Sequence, residues 1–258
     1  MLSNPQQTSE QLISFIKNTF LGQQKTKAVI AISGGIDSAV SLVLLAKALG
    51  SENITALLLP YADQSVEDSV LISQHVGIPE AQIMTANIKP IVDATIEVLK
   101  VPSNEAVRLG NLKARSRMLC VFDAAKTQNA LVCGTENKSE HYLGYFTRFG
   151  DAASDLEPIS SLYKSEVRQL AEFLQIPAVF LEKAPSAGLW NNQTDEAEMG
   201  FSYDQADQVL VQLIDQQKAL KDISVDGVGL EVIQKIVAQV NAMSFKLHVP
   251  YELQKSSV

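Results

Sequence analysis

Cysteine, histidine, tryptophan and basic charge are all scarce in this chain. Its 258 residues hold two cysteines, three histidines and one tryptophan. Two cysteines, Cys120 and Cys133, are too few for a disulfide framework and suit a reducing compartment. His141 adjoins Glu140, but no second His or Cys stands at ligand spacing, which argues against a His/Cys metal site. Apolar runs such as 40–46 stop well short of the roughly 20 residues a membrane span needs. The first eleven residues show no basic stretch followed by an apolar one, so no secretory leader is expected and a cytoplasmic protein is. Basic side chains number 21 against 29 acidic, a formal charge of −8. A sequence pI near 5.0 is wrong for a protein that binds by neutralising phosphates along a nucleic acid. Neither nucleic acid nor membrane is expected as a partner, although an acidic surface still permits a local positive pocket.

Apolar residues make up 46% and charged residues 19%, an ordinary globular balance that sets disorder aside. A chain this long buries about three quarters of its unfolded surface and needs no staples. No repeat, low-complexity tract or linker divides it, so one domain over 1–258 is expected. From about residue 10 to 175, short apolar runs alternate with helical patterns. Strands are expected at 28–32, 54–59, 82–85 and 130–133, with helices after a polar start at 8–9, then following 36, at 65–76, 88–99 and 104–127. The run 28–32 (AVIAI) is β-branched and continuous, as in a strand buried on both faces. This alternation implies an α/β fold, a Rossmann-like open parallel sheet with helices on both faces. Residues 141–160 and 185–200 read as irregular, and long irregular segments in a compact domain are more often functional loops than filler. Helices return at 203–217 and 230–243.

The sharpest signal is Ser33-Gly34-Gly35-Ile36-Asp37-Ser38, between the first strand and the second helix. Ligands of open parallel sheets bind beyond the carboxyl ends of strands, where strand order reverses. Two glycines let backbone approach a phosphate, and the helix that follows points N–H groups and its positive end toward it. Ser33 and Ser38 can add hydroxyl donors. Asp37 would repel an anion unless it held Mg²⁺ against the phosphates. The alternative is an Asp N-cap after a glycine turn. With no GK[ST] and no GxGxxG, the motif is neither a Walker A loop nor a dinucleotide fingerprint.

Other residues can be read singly. Arg115 and Arg117 lie two apart on a helix and cannot share a face, so one can reach a ligand anion while the other is solvated. Thr135 and Glu140 follow the fourth strand and stand on the same edge as Asp37. Asp37 and Glu140 together could hold Mg²⁺, or Glu140 could be a capping or solvated residue. Lys164 falls early in a helix, where a lysine is ill-placed unless an anion offsets it. The cysteines read as small hydrophobes, His75 as a half-exposed helix residue, and Trp190 as a loop anchor.

The hexapeptide resembles the pyrophosphatase loop of enzymes that cleave ATP between the α and β phosphates. Three further blocks are similar to NAD synthetases: residues 110–118, residues 134–140 continuing through 144–151, and the set 158–159, 162–167, 185–189 with Gln193, Asp195 and Glu196. The resemblance implies ATP held by residues 33–38 (Ile36 included), Thr135, Lys164 and Ser186. It implies Mg²⁺ on Asp37 and Glu140, and a dinucleotide, deamido-NAD, contacted by Asn111, Arg115, Arg148, Asp155 and Lys246. Asp151 would lie near the metal or the attacking ammonia, which makes Asp37 and Asp151 the implied catalytic pair. Arg148 stands where such enzymes usually carry Lys. Their terminal HKR-x-x-P is here Phe245-Lys246-Leu247-His248-Val249-Pro250, so Lys246 and Pro250 match while Phe245 and Leu247 do not. The implied reaction is amidation of deamido-NAD by ammonia through an acyl-adenylate, in a homodimer with no glutamine-hydrolysing domain.

Three other readings compete. A mononucleotide acceptor is kept open by Phe245 and Leu247. A tRNA-modifying enzyme would need a basic surface, which −8 opposes. A sensor that holds ATP without turnover would release no pyrophosphate, and the pairing of Asp37 with Glu140 argues for metal-assisted chemistry instead.

Overall fold

In the computed structural model of the chain, the described residues are 2–185 and 194–251, so Ser186, Trp190 and Gln193 lie outside them. The first helix, α1 (Pro5–Gly22), starts earlier than the apolar pattern suggests. Asn4 accepts the Gln7 N–H and Pro5 sits at the first helical position, where its missing N–H costs nothing. Then follow β1 (Ala28–Ala31), α2 (Ile36–Leu49), β2 (Ile54–Leu58), α3 (Glu67–His75), β3 (Ile83–Thr85), α4 (Lys89–Leu99), α5 (Ala106–Gln128) and β4 (Leu131–Cys133). All strand pairs are parallel, in the order β3-β2-β1-β4. Ala28 stands opposite both Ile54 and Leu131.

Alternate strand residues feed two cores, as the pleat requires. Ala28, Ile30, Ile54 and Leu58 join α1, α2 and α7 (Lys164–Phe173) on one face, while Val29, Leu57 and Val132 meet α4 and α5 on the other. The expected α/β architecture, an open parallel sheet with helices on both faces, is the one found. Strand order reverses between β1 and β4, so their carboxyl ends open a crevice between them.

After β4 the chain continues as α6 (Lys138–Leu143), α7, α8 (Ala178–Glu182), α9 (Asp195–Met199), α10 (Tyr203–Leu210) and α11 (Leu230–Met243). Leu143, Phe201, Tyr203, Val209, Ile233 and Ile236 anchor a third core beside the sheet. Two expectations are corrected here. Residues 185–200 are not irregular throughout, because α9 forms behind Thr194, whose hydroxyl accepts the Ala197 N–H. One helical turn is too short to leave a periodic signature. The helix expected over 203–217 leaves α geometry after Leu210 and widens into a π turn at Val211–Asp215. That turn carries Asp215 to the Tyr163 hydroxyl (3.0 Å) and the Lys138 ammonium (2.5 Å), tertiary bonds that periodicity does not encode. No helix among the described residues is long and apolar enough to cross a membrane.

Candidate active site

The crevice deepens into a cavity of about 930 Å³, bounded by the β1–α2 loop, the ends of β2 and β4, and by α5, α7 and α11. At its floor lies the glycine turn. Gly34 has φ +76°, which favours glycine, and a Cβ there would approach the Asp68 Cβ to 3.1 Å, a tight contact that adds to the preference. The N-cap of α2 is Gly35, which has no side chain to cap with. Asp37 therefore sits inside the first turn and is not the cap. Ser33 is exposed at the cavity wall, with its Oγ accepting the Gly35 N–H at 3.3 Å. Ser38 is buried and donates to the Gly35 carbonyl at 2.9 Å, bracing the turn from beneath.

Asp37, Asn137, Glu140 and Lys164 form one ionic cluster. Lys164 opens α7, is 2% exposed, and places Nζ 2.5 Å from Asp37 Oδ2 and 3.1 Å from Glu140 Oε1. The anions that justify a lysine at a helix start are thus the chain's own carboxylates. Asn137, wholly buried, caps α6 by accepting the Glu140 N–H at 3.0 Å and donates Nδ2 to Asp37 Oδ1 at 2.9 Å. Glu140 closes the capping box with Oε2 and meets Lys164 with Oε1, so it is a capping residue and a site residue at once. Burial pushes the Glu140 carboxyl up to about 8, with Asp37 adding to the rise and Lys164 opposing it. Burial alone would lower Lys164, but Asp37 and Glu140 outweigh it and hold the ammonium above its ordinary value.

Two carboxylates thus share the Lys164 ammonium at the cavity edge, and no group of three or more His, Cys, Asp or Glu among the described residues is placed to cage a metal. An all-oxygen, two-carboxylate donor set fits Mg²⁺, which is commonly held by one or two carboxylates plus substrate phosphates.

The other expected residues divide. Thr135, Asn111, Asp151 and Lys246 line the cavity. Asn111 accepts from the Thr147 hydroxyl at 2.8 Å, and the Thr147 N–H donates to Asp151 Oδ1 at 2.9 Å. Asp151 is exposed to the cavity, yet the surrounding protein strips part of its hydration and raises its carboxyl, only partly offset by the N–H groups donated to it. Lys246 donates to the carbonyls of Gly144 (2.6 Å) and Phe146 (2.8 Å), and burial lowers its pKa. Arg115, Arg148 and Asp155 do not contribute to the cavity wall. Arg115 is exposed and donates Nε to the Arg148 carbonyl at 3.3 Å. Arg148 stacks on the Phe245 ring, 5.0 Å from its centroid. Asp155 accepts the Val132 N–H at 2.7 Å, at the sheet edge.

Three residues were missed by reading the sequence. Arg117, not Arg115, faces the cavity, donating to the Leu59 carbonyl (3.0 Å) and Gln64 Oε1 (3.1 Å). The signal was present, since Arg117 continues the buried stripe Gly110, Ala114, Val121 at helical spacing. Asn137 was legible as the first residue of an N-x-x-E capping box. Lys183 had no signal; its Nζ reaches Asp68 Oδ2 (2.6 Å) and the Gly34 carbonyl (3.2 Å), bridging α3 to the glycine turn.

With this geometry in view, comparisons with known proteins are specific. The NAD synthase family model matches residues 8–250. The NH(3)-dependent NAD(+) synthetase of Fusobacterium nucleatum is 39% identical over 250 residues, covering 96% of this chain and 95% of that protein. The enzyme of the same name from Pyrococcus horikoshii is 38% identical over 243 residues, covering 93% and 91%. Among solved structures, the NMN synthetase from Francisella tularensis superposes with a TM-score of 0.83 at 32% identity, over 98% of this chain and 99% of that one. The NH3-dependent NAD synthetase from Campylobacter jejuni gives 0.79 at 31%, over 97% and 100%. A match that spans nearly the whole chain, with a parallel sheet and the motif at its switch point, places this protein in the NAD synthase family.

Proposed function

We propose that the chain joins ammonia to the nicotinate carboxylate of deamido-NAD at the expense of ATP, releasing pyrophosphate and AMP and forming NAD. The observation that carries this reading is the convergence of Asp37, Glu140 and Lys164 on the glycine turn at the β1/β4 switch point. In the first step an acceptor carboxylate oxygen attacks the α-phosphorus; the bond to the β-phosphate oxygen breaks and pyrophosphate leaves an acyl-adenylate. In the second, ammonia attacks the acyl carbon and AMP leaves. No covalent enzyme intermediate is needed, so the protein's part is placement and charge stabilisation.

The uncapped start of α2 and the Ser33 hydroxyl would receive the phosphates, and Ser38 would keep the turn in shape. Thr135 stands at the cavity wall to meet the nucleotide, and Ser186 is assigned there by resemblance only. Asp37 and Glu140 would hold Mg²⁺, which supplies positive charge against the phosphates. Lys164 keeps the two carboxylates together and adds a cation beside the pyrophosphate. Asp151, open to the cavity and raised by partial loss of hydration, is suited to bind ammonium and take its proton. Asn111 and Lys246 face the acceptor from inside the cavity. Arg115, Arg148 and Asp155, which are outside this chain's cavity wall, would complete the acceptor site at a subunit interface of a homodimer. Free ammonia as nitrogen source, a single domain without glutamine hydrolysis, and a cytoplasmic location complete the proposal.

A second reading, amidation of nicotinate mononucleotide, is favoured by one pair of observations. The Francisella tularensis structure that superposes well bears the name NMN synthetase, and Phe245 and Leu247 here replace a His and an Arg of the resemblance. Purified protein supplied with ammonium, ATP and Mg²⁺ decides between them when pyrophosphate release is compared for the two acceptors, with Asp37→Ala as control. Faster turnover of deamido-NAD supports the first reading. Release with neither acceptor would sink both.

A further inference from the structure

We propose that Asp207 is a positioning residue for this site, fixing the helix starts that carry Lys164 and Glu140. The proposal rests on the functional reading above. The start of α7 needs it. A helix leaves its first N–H groups without internal partners; at the N-cap of α7, Tyr163, the hydroxyl is engaged by Asp215 and Glu166 closes back on the Tyr163 N–H at 3.1 Å, which leaves the N–H groups of Lys164 and Ser165 to be met from elsewhere. Two of those N–H groups find partners outside the helix. The Lys164 N–H donates to Ser139 Oγ at 2.8 Å, and the Ser165 N–H donates to Asp207 Oδ2 at 2.8 Å. Ser139 in turn donates its hydroxyl to Asp207 Oδ1 at 2.5 Å.

One carboxylate therefore ties together the first turns of α6 and α7. Ser139 immediately precedes Glu140, and Ser165 immediately follows Lys164. Ser139 is 0% exposed and Asp207 4%, so neither bond is exchanged for water. A buried carboxylate is costly unless hydrogen-bonded, and here it accepts two donors at the positive end of α7. One turn earlier on the same helix, Tyr203 places its ring 5.2 Å below the Lys164 ammonium. The opposite face of α10, with Asp204 and Gln208, is exposed. Through Tyr203 and Asp207, α10 makes a floor beneath the ionic cluster, and the third core holds that floor in place. A carboxylate so far from the ATP motif in sequence thus acts on the reaction through Lys164 and Glu140, touching neither substrate nor metal.

The test uses the full chain with Asp207→Ala, Asp207→Asn, Ser139→Ala and, as a control on the exposed face, Asp204→Asn. Three quantities are read: steady-state pyrophosphate release with separate KM values for ATP and acceptor, ATP affinity by calorimetric titration without acceptor, and the melting temperature. A misplacement of the order of 1 Å at reacting groups costs about 100-fold, which sets the loss in kcat/KM for ATP expected of Asp207→Ala. Asp207→Asn keeps an acceptor for the Ser165 N–H and should recover about tenfold of that loss, or one factor of ten per ~1.4 kcal/mol. Ser139→Ala should fall between the two, KM for the acceptor should stay within twofold, and Asp204→Asn should match the parent. If Asp207→Ala does not fold, Asp207→Asn and Ser139→Ala carry the test. Parent-like kcat and ATP affinity in those two, with only a lower melting temperature, would overturn the proposal. So would equal losses toward ATP and acceptor. A parent that releases no pyrophosphate refutes the reaction instead, and the titration, which needs no turnover, still reads the effect of Asp207 on ATP binding.

Discussion

The two sides of the cavity are built differently. On the side proposed to hold the nucleotide, Asp37, Asn137, Glu140 and Lys164 come from three separate elements and bond to one another at the base of the cavity, largely shielded from water. On the side proposed to meet the acceptor, Arg115 and Arg148 meet a backbone carbonyl and a ring face near the surface, and Lys246 is held by two loop carbonyls. A buried ion left without its partner is destabilising, so the first arrangement accepts few changes. Exposed cations can trade neighbours at small cost, and it is on that side that Phe245 and Leu247 depart from the family pattern. Under the proposed assignment, rigidity at the phosphates and latitude at the acceptor follow from burial.

The contrast can be broken most forcefully at its centre. Lys164→Met would leave two buried carboxylates facing each other, costing about 3–5 kcal/mol of stability by urea unfolding. The same change should lower kcat for pyrophosphate release by about 10²–10³-fold. Parent-like stability would show that the cluster is not the rigid half.

Next in size is Asp151→Asn. Turnover at limiting ammonium should drop about 100-fold, the lower end of general-base effects. Partial loss of hydration at the cavity wall holds the exposed Asp151 carboxyl above its ordinary range, and it must be ionised to take a proton. Parent activity should therefore fall as pH drops through that raised value, and the variant should lack this acidic limb in a pH–rate profile.

A smaller effect is expected on the acceptor side. Phe245→His removes the ring under Arg148, a contact worth about 0.5–1 kcal/mol, or some two- to five-fold. KM for deamido-NAD relative to nicotinate mononucleotide should move by that factor while KM for ATP stays put. A change in ATP kinetics instead would erase the division between the sides.

Outside both sides, and read in stability and not in turnover, stands Glu157, which accepts from the Glu136 N–H and the Ser154 hydroxyl at 2.8 Å each, close over Gly134. Burial pushes its carboxyl up to about 8, well over the ordinary 4.5. Because the folded-state value is the higher one, the native state binds more protons than the unfolded chain between these limits. Stability from this group is complete below about 4.5 and is lost as pH rises through about 8. Glu157→Gln should flatten that decline in melting temperatures recorded from pH 5 to 9.

Much of the site was readable because its signals are local. The paired glycines, the carboxylate two residues on and the strand before them identify a phosphate turn by spacing alone. The capping box at Asn137 and Glu140 is likewise a four-residue pattern. Between Arg115 and Arg117 the pair alone left the choice open, and the apolar stripe of α5 is the local signal that points Arg117 inward. Lys183 and Asp207 left no local trace, because each acts on residues more than forty positions away.

By itself the sequence determined the alternation of strands and helices, the placement of the glycine turn after β1, and a family resemblance dense enough to imply a reaction. These depend on hydrophobic period and backbone conformation, which are set by near neighbours. Only the tertiary structure decided that Lys164 lies between Asp37 and Glu140, that Arg117 enters the cavity while Arg115 stays outside, and that α10 supports α7 through Asp207. Those are outcomes of long-range packing, in which buried charges must find partners wherever the fold brings them.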